Sequence, residues 1–225
     1  MTFPEGQPDD GVPAVRAADY WIPDRGGVRG LAEALPSCRA CELWSDAIQV
    51  VPGQGPARAE LMLVGEQPGD EEDHQGKPFV GPAGKLLRDV LTSEGVSPES
   101  VYLTNAVKHF RHQGTRGKRR IHQRPAVRHI SACAPWLAEE INRVRPRGVV
   151  LLGAVATSAV LGPDFKVTAL RGRLLPWPDE QAGSPAWVLA TVHPSAVLRS
   201  QTRVEDRARF ADDLRVAIEE LARGR

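Results

Sequence analysis

Hydrophobic positions along the chain fall in short continuous runs, separated by stretches in which they recur at helical spacing. The runs are ELMLVG at 60–65, VYLTNAV at 101–107, GVVLLG at 148–153 and WVLATVH at 187–193. Runs this short with no polar alternation predict strands buried on both faces, as in a parallel sheet covered by helices. The links fit that prediction. GPAGKLLRDVLTSEG sets Leu86, Leu87, Val90 and Leu91 at helical spacing and stops at Gly95, while residues 127–144 place Ile130, Trp136, Leu137 and Ile141 along one side. AVATSAVLG follows the third run directly, and VEDRARFADDLRVAIEELA is amphipathic through Phe210, Leu214, Ile218 and Leu221. The expected fold is a three-layer α/β/α sandwich around a central four-stranded, mainly parallel sheet. Ligands of such folds sit outside the carboxyl ends of the strands, where this chain has GEQPGDEED, NAVKH, GA and HPS.

Residues 1–27 are rich in Pro, Gly and Asp and lack periodicity, so they read as a flexible tail pinned by Tyr20, Trp21 and Ile22; a single domain is expected over 28–225. A chain of 225 residues, 41% hydrophobic and 25% charged, suits one globular domain and excludes disordered and collagen-like classes. The longest apolar run, 149–156, is interrupted by Gly153 and is too short to span a bilayer. The opening MTFPEGQPDDG has neither the cationic start nor the apolar stretch of a signal peptide, so the expected location is the cytoplasm. Neither phosphate-binding glycine pattern, G-x-x-x-x-G-K-[ST] or G-x-G-x-x-G, is present.

The net charge of +1 does not point to nucleic acid, but the cations are unevenly placed. From Lys108 to Ala138 there is no Asp or Glu, while Lys108, Arg111, Arg116, Lys118, Arg119, Arg120, Arg124 and Arg128 all fall there. A solvated basic loop is the simplest account of such a run. Inside it, GKRRIHQRP surrounds His122 with cations, which disfavour imidazolium and predict a neutral, nucleophilic ring. The three cysteines cannot form a closed disulfide framework, and the C-x-x-C of Cys38 and Cys41 suggests metal binding or redox chemistry. A redox pair usually opens a helix after a strand, and no strand is expected before Cys38.

In order and spacing, GEQPGDEED, GKPFVGPAGKLL, TNAVK, LLGAVA and VHPS resemble the motifs of the uracil-DNA glycosylase superfamily, specifically its iron-sulfur bacterial branch, over residues 28–222. The insertion GTRGKRRIHQRP is similar to that of the UdgX type, uracil-DNA-binding glycosylases that attach covalently to their product; this closer likeness rests on KRRIH. A glycosylase must flip deoxyuridine out of the stack, hold uracil by edge and face, and stabilise an oxocarbenium-like sugar and a departing uracil anion.

The resemblance implies a task for each motif residue, beside a plainer one. Phe79 would stack on the base, or is a core ring; Asn105 would read the uracil edge against cytosine, or caps a turn. His193 would donate to uracil O2, or caps a helix. Gln67, Gly69 and Asp70 form a loop that would approach the base and phosphates. Glu66 would orient an attacking group or balance charge on the sugar, or caps the next turn. His122 would attack C1′ of the sugar, with Lys118, Arg119 and Arg120 on phosphates; His74, His112 and His129 are weaker candidates for that attack. The related glycosylases carry a cysteine where this chain has His109, so Cys38, Cys41, His109 and Cys133 would hold a structural 4Fe-4S cluster, although zinc accepts the same donors. The implied partner is uracil-containing DNA, single strands preferred, with uracil as product and the chain a monomer. Two other readings stay open, a hydrolytic glycosylase in which His122 only touches DNA, and a non-catalytic iron-sulfur protein on single strands. Phe79, Asn105 and His193 together argue against the second, because backbone binding needs no base-sized pocket.

Overall fold

Each apolar run becomes a strand whose alternate residues feed opposite faces of one sheet. The computed structural model describes residues 18–117, 119–179 and 183–223. In chain order, α1 (Gly27–Ala34) and the short α2 (Leu43–Asp46) precede β1 (Leu61–Gly65), α3 (Asp70–Gln75) and α4 (Pro82–Ser93). Then come β2 (Tyr102–Asn105), β3 (His112–Arg116), β4 (Arg119–His122), α5 (Val127–Val144), β5 (Gly148–Leu152), α6 (Ala154–Leu161) and α7 (Val167–Leu170). The chain ends with β6 (Leu174–Pro176), β7 (Trp187–Thr191), α8 (Pro194–Arg199) and α9 (Arg203–Arg223).

Among the described residues the main sheet has five strands in the order β2-β1-β5-β7-β6. The four expected strands are parallel, and β6 adds an antiparallel edge through Leu174 to Leu189 and Pro176 to Trp187. A three-residue strand carries no readable period, which is why the sequence predicts four. Leu61, Leu63, Val150, Leu152 and Leu189 pack on one face against α4, α8 and α9; Met62, Val64, Val149, Leu151 and Val188 pack on the other against α5 and α6. A third core lies at the side, where Leu31, Leu35 and Leu43 meet Val107, Ala132 and Trp136. Trp21 and Ile22 pack on it while Tyr20 is exposed. Residues 1–17 lie outside the described residues. No helix among the described residues is long and apolar enough to cross a membrane.

The basic segment is not a loop. β3 and β4 form an antiparallel hairpin with His112 opposite His122 and Arg116 opposite Arg119, turned at Gly117, whose φ of 64° suits a two-residue hairpin turn. Lys118, expected on phosphate, lies outside the described residues.

Candidate active site

The carboxyl ends of the parallel strands border a cavity of about 640 Å³. Glu66, Gly69, Asp70, Phe79, Asn105, Arg119, His122 and His193 all line it, which brings together nearly all of the motif residues singled out in the sequence. Asn105 ends β2 opposite Gly65. A Cβ on Gly65 would stand 2.4 Å from Asn105 Oδ1 and 2.7 Å from Phe79 Cζ, so it is the bare glycine that lets amide and ring approach one another.

Phe79 has a φ of 55°, in the left-handed region that a bulky L-residue rarely enters and that clusters at functional sites. Its ring is buried, and lies 6.3 Å from the His193 ring with the planes 26° apart. It is therefore both a core side chain and a wall of the cavity. His193 caps α8: its Nδ1 accepts from the Ser195 N–H at 3.2 Å and lies 2.9 Å from Ser195 Oγ. Burial, then the nearby His122 and Arg199, pushes the His193 imidazole down to about 4. A neutral ring with Nδ1 accepting carries its proton on Nε2, so the cap fixes the tautomer that a hydrogen-bond donor needs.

His122 sits on the far rim, half-exposed, with Nε2 3.6 Å from Glu66 Oε1. That oxygen is buried and has no hydrogen-bond partner among the described residues. Burial raises the Glu66 carboxyl above its ordinary range, against the pull of Arg124 and Arg199. Burial and Arg199 lower the His122 imidazole. That direction favours the neutral ring, but its cause is burial and Arg199, and several cations of the segment are engaged elsewhere. Arg119 pairs with Glu71, Arg128 with Glu42, and Lys108 is buried on Glu140. Arg120 bridges Asp70 and Asp73, each at 2.7 Å, and lies 5.1 Å over the Phe110 ring. The guanidinium expected on phosphate is thus paired with two carboxylates. Asp70 is correspondingly turned to Arg120.

Gln67 also has a different task. Its Nε2 donates to the carbonyls of Arg111 and Gln123, both at 3.0 Å, and its Oε1 accepts from the Arg111 N–H at 3.2 Å. The side chain bolts both ends of the hairpin, and Gln67 also lines the cavity. The remaining histidines have structural partners: His74 Nδ1 meets the Asp70 carbonyl, His112 Nε2 the Asp46 carbonyl, and buried His129 accepts from the Ala126 N–H while pairing with Glu42.

Cys38, Cys41, His109 and Cys133 line one narrow cavity beside Leu35, Lys108 and Trp136. The Lys108 N–H donates to Cys133 Sγ and Trp136 Nε1–H to Cys38 Sγ, both at 3.3 Å, the kind of bond that ligating sulfurs accept. Burial pushes the thiols of Cys41 and Cys133 up to about 11 and about 12, and His109 down to about 4, leaving its imidazole neutral. No three His, Cys, Asp or Glu side chains among the described residues are grouped to hold one metal ion. Three thiols and an imidazole facing one cavity are a donor set that an iron-sulfur cluster or a zinc ion accepts.

A family model for the uracil DNA glycosylase superfamily matches residues 52–219. The chain belongs to the uracil-DNA glycosylase superfamily. It is 36% identical over 173 residues to a Type-4 uracil-DNA glycosylase of Sulfurisphaera tokodaii, covering 75% of this chain and 74% of that one. It is 35% identical over 185 residues to the Type-4 enzyme of Archaeoglobus fulgidus, covering 80% and 88%. A Type-5 uracil-DNA glycosylase of Pyrobaculum aerophilum matches over a shorter stretch, 33% identical over 138 residues and 55% of this chain.

Within this superfamily member three supporting residues escaped the sequence reading. Glu72 ties two rims of the pocket, its Oε2 accepting from the Gly69 N–H at 3.0 Å and its Oε1 from the Gly81 N–H at 2.9 Å. Phe110 is the keel of the hairpin, its ring 6.0 Å from that of His122 and 5.2 Å from that of His112. Arg199 lines the pocket and its charge reaches Glu66, His122 and His193. The only signal for Arg199 was its place six residues beyond His193 in HPSAVLR.

Proposed function

We propose that this chain excises uracil from DNA and captures the resulting abasic sugar covalently on His122. The observation that carries the proposal is the orphaned Glu66 Oε1, buried 3.6 Å from His122 Nε2 at the rim of the pocket shared by Phe79, Asn105 and His193. A buried carboxylate oxygen without a donor is costly unless a positive charge arrives beside it. Two do so in this reaction. As the C1′–N1 bond breaks, its electron pair leaves with uracil, where His193 Nε2–H donates to the oxygen that gains charge, and the sugar becomes oxocarbenium-like beside Glu66. The lone pair on His122 Nε2 then forms the C1′–Nε2 bond, and the ring becomes an imidazolium beside the same carboxylate, its Nδ1 proton being lost later to solvent. Before that step His122 must be unprotonated, which burial and Arg199 favour. Asn105 reads the uracil edge and Phe79 holds its face.

Uracil-containing DNA is the partner, single strands before duplex because an unpaired base needs no extraction from the helix. The protein acts as a monomer. Cys38, Cys41, His109 and Cys133 hold a 4Fe-4S cluster whose role is structural. Brown protein with absorbance near about 400 nm supports the cluster; stoichiometric zinc without iron overturns it.

The test is a labelled single-stranded oligonucleotide with one uracil, heated in SDS with the protein and run on a denaturing gel beside His122→Ser. A heat-stable shifted band that vanishes in the variant is expected. The Type-4 names of the relatives favour a second reading, hydrolytic turnover with Glu66 activating water. No shift but alkali-cleavable DNA from the wild type would establish it and reduce His122 to a DNA contact.

A further inference from the structure

Lys108 is fully buried and lies outside the pocket, yet all three of its ammonium protons are used. Nζ donates to Glu140 Oε2 at 2.6 Å, to Thr104 Oγ1 at 2.7 Å and to the backbone carbonyl of Asn105 at 2.8 Å. Glu140 is equally enclosed, with Oε2 also accepting from Thr104 Oγ1 and Oε1 from the Gly53 N–H at 3.1 Å. A buried ion pair contributes little stability compared with apolar residues of the same volume, so its presence calls for another account.

The third bond supplies one. After β2 the Ala106 and Val107 N–H groups pair with the Gly65 and Glu66 carbonyls, and the chain turns back at Lys108. The Lys108 side chain closes that turn onto Asn105, three residues earlier. The turn is also fastened twice to α5, through Glu140 and through the Lys108 N–H on Cys133 Sγ. Residues 133 and 140 are two helical turns apart on one face of α5. The backbone of the pocket's amide is thus held against a helix packed on the opposite side of the strand from the cavity.

We propose that the Lys108–Glu140 pair is a positioning device for Asn105 and sets how tightly the pocket holds the uracil edge. The inference rests on the uracil-excision reading above. Lys108 touches no substrate; it acts by fixing the carbonyl, and so the Cα, of the residue whose amide does.

The experiment measures uracil release under single-turnover conditions, as limiting rate and half-saturating protein concentration, together with the melting temperature. Lys108→Met leaves Glu140 buried and unpaired, and should lower the melting temperature and raise the half-saturating concentration about tenfold, the worth of one displaced hydrogen bond. Lys108→Met with Glu140→Gln removes the unpaired charge while keeping an acceptor for the Gly53 N–H. It should regain melting temperature but not affinity. Recovery of both would show that the pair only stabilises the fold and overturns the proposal. Thr104→Val takes one bond from the network and leaves Lys108 on the Asn105 carbonyl, so it should lose melting temperature with the half-saturating concentration unchanged; a rise equal to that of Lys108→Met also overturns the proposal. A wild type that releases no uracil sinks the excision reading itself, which is a different failure.

Discussion

Replacing Gly65 by alanine adds one methyl group at the centre of the pocket. The glycine is not in the left-handed region, so alanine meets no backbone strain, and the added Cβ contacts only the two groups already facing it, Asn105 Oδ1 at 2.4 Å and Phe79 Cζ at 2.7 Å. Ordinary packing begins at 3.4 Å, so the amide must retreat by about 1.0 Å and the ring by about 0.7 Å. Phe79 has little freedom to retreat, since its φ of 55° is held against Gly84, where a Cβ would stand 1.9 Å from the Phe79 carbonyl. Misplacing a substrate-positioning group by about 1 Å costs about a hundredfold in rate, or about 2.7 kcal/mol of transition-state stabilisation. The overpacking itself costs about 1–3 kcal/mol of stability, which a folded domain of this size tolerates. The assay is uracil release from a single-uracil oligonucleotide under single-turnover conditions, with a urea melt of the same preparation. A folded Gly65→Ala protein that keeps its rate to within about threefold, less than 1 kcal/mol of barrier, would refute the placement of Asn105 and Phe79 against the base.

The other predictions address the groups that hold this geometry. Glu72→Gln can serve only one of the Gly69 and Gly81 N–H groups as acceptor, and should lose about 1–2 kcal/mol in urea melts; an unchanged midpoint would show the bridge to be idle. Arg120→Leu leaves Asp73 buried without its cation and should cost about 3 kcal/mol, whereas Arg119→Leu, which breaks an exposed pair with Glu71, should cost less than about 1 kcal/mol; equal losses would contradict the assigned partners. The folded His193 value of about 4 lies below the ordinary 6.5, so the unfolded chain takes up the proton first as pH falls. The associated stability is complete above about pH 6.5 and falls by about 3 kcal/mol by pH 4, a loss that His193→Asn should not show.

The residues proposed to do the chemistry were legible because they sit at strand ends, and strand ends follow from apolar runs. Asn105 is the last residue of β2 and His193 stands two residues past the end of β7, so a correct sheet delivers both to one edge. The residues that support them were not legible. Glu72 looks like any acid in an acidic stretch, and its role depends on Gly81 folding back nine residues later. Gln67 reads as a pocket residue and does line the cavity, but that its amide also ties Arg111 and Gln123, more than forty residues away, could not be read from the sequence. The edge strand β6 and the β3–β4 hairpin were missed for a related reason: short pairings carry no period of their own and exist only because a neighbour offers hydrogen bonds.

The basic segment shows how far a charge count can mislead when the partners are distant in sequence. Its cations have no acid nearby along the chain, but α3 supplies Asp70, Glu71 and Asp73 in space, and the hairpin is thereby anchored to the loop that carries Glu66. The electrostatic result is a rim at which Arg119 and Arg120 are paired with acids while Arg199 keeps its charge near Glu66 and His122. On the proposed reading, recognition comes from the enclosed pocket, one base at a time, and a pocket emptied of uracil is left with a weak hold on abasic DNA. Capture of C1′ by a ring held 3.6 Å from an unpartnered carboxylate oxygen answers that weakness, because a covalent bond needs no further grip. The ion pairs of Arg119 and Arg120 with α3 also hold the hairpin on which that ring is carried.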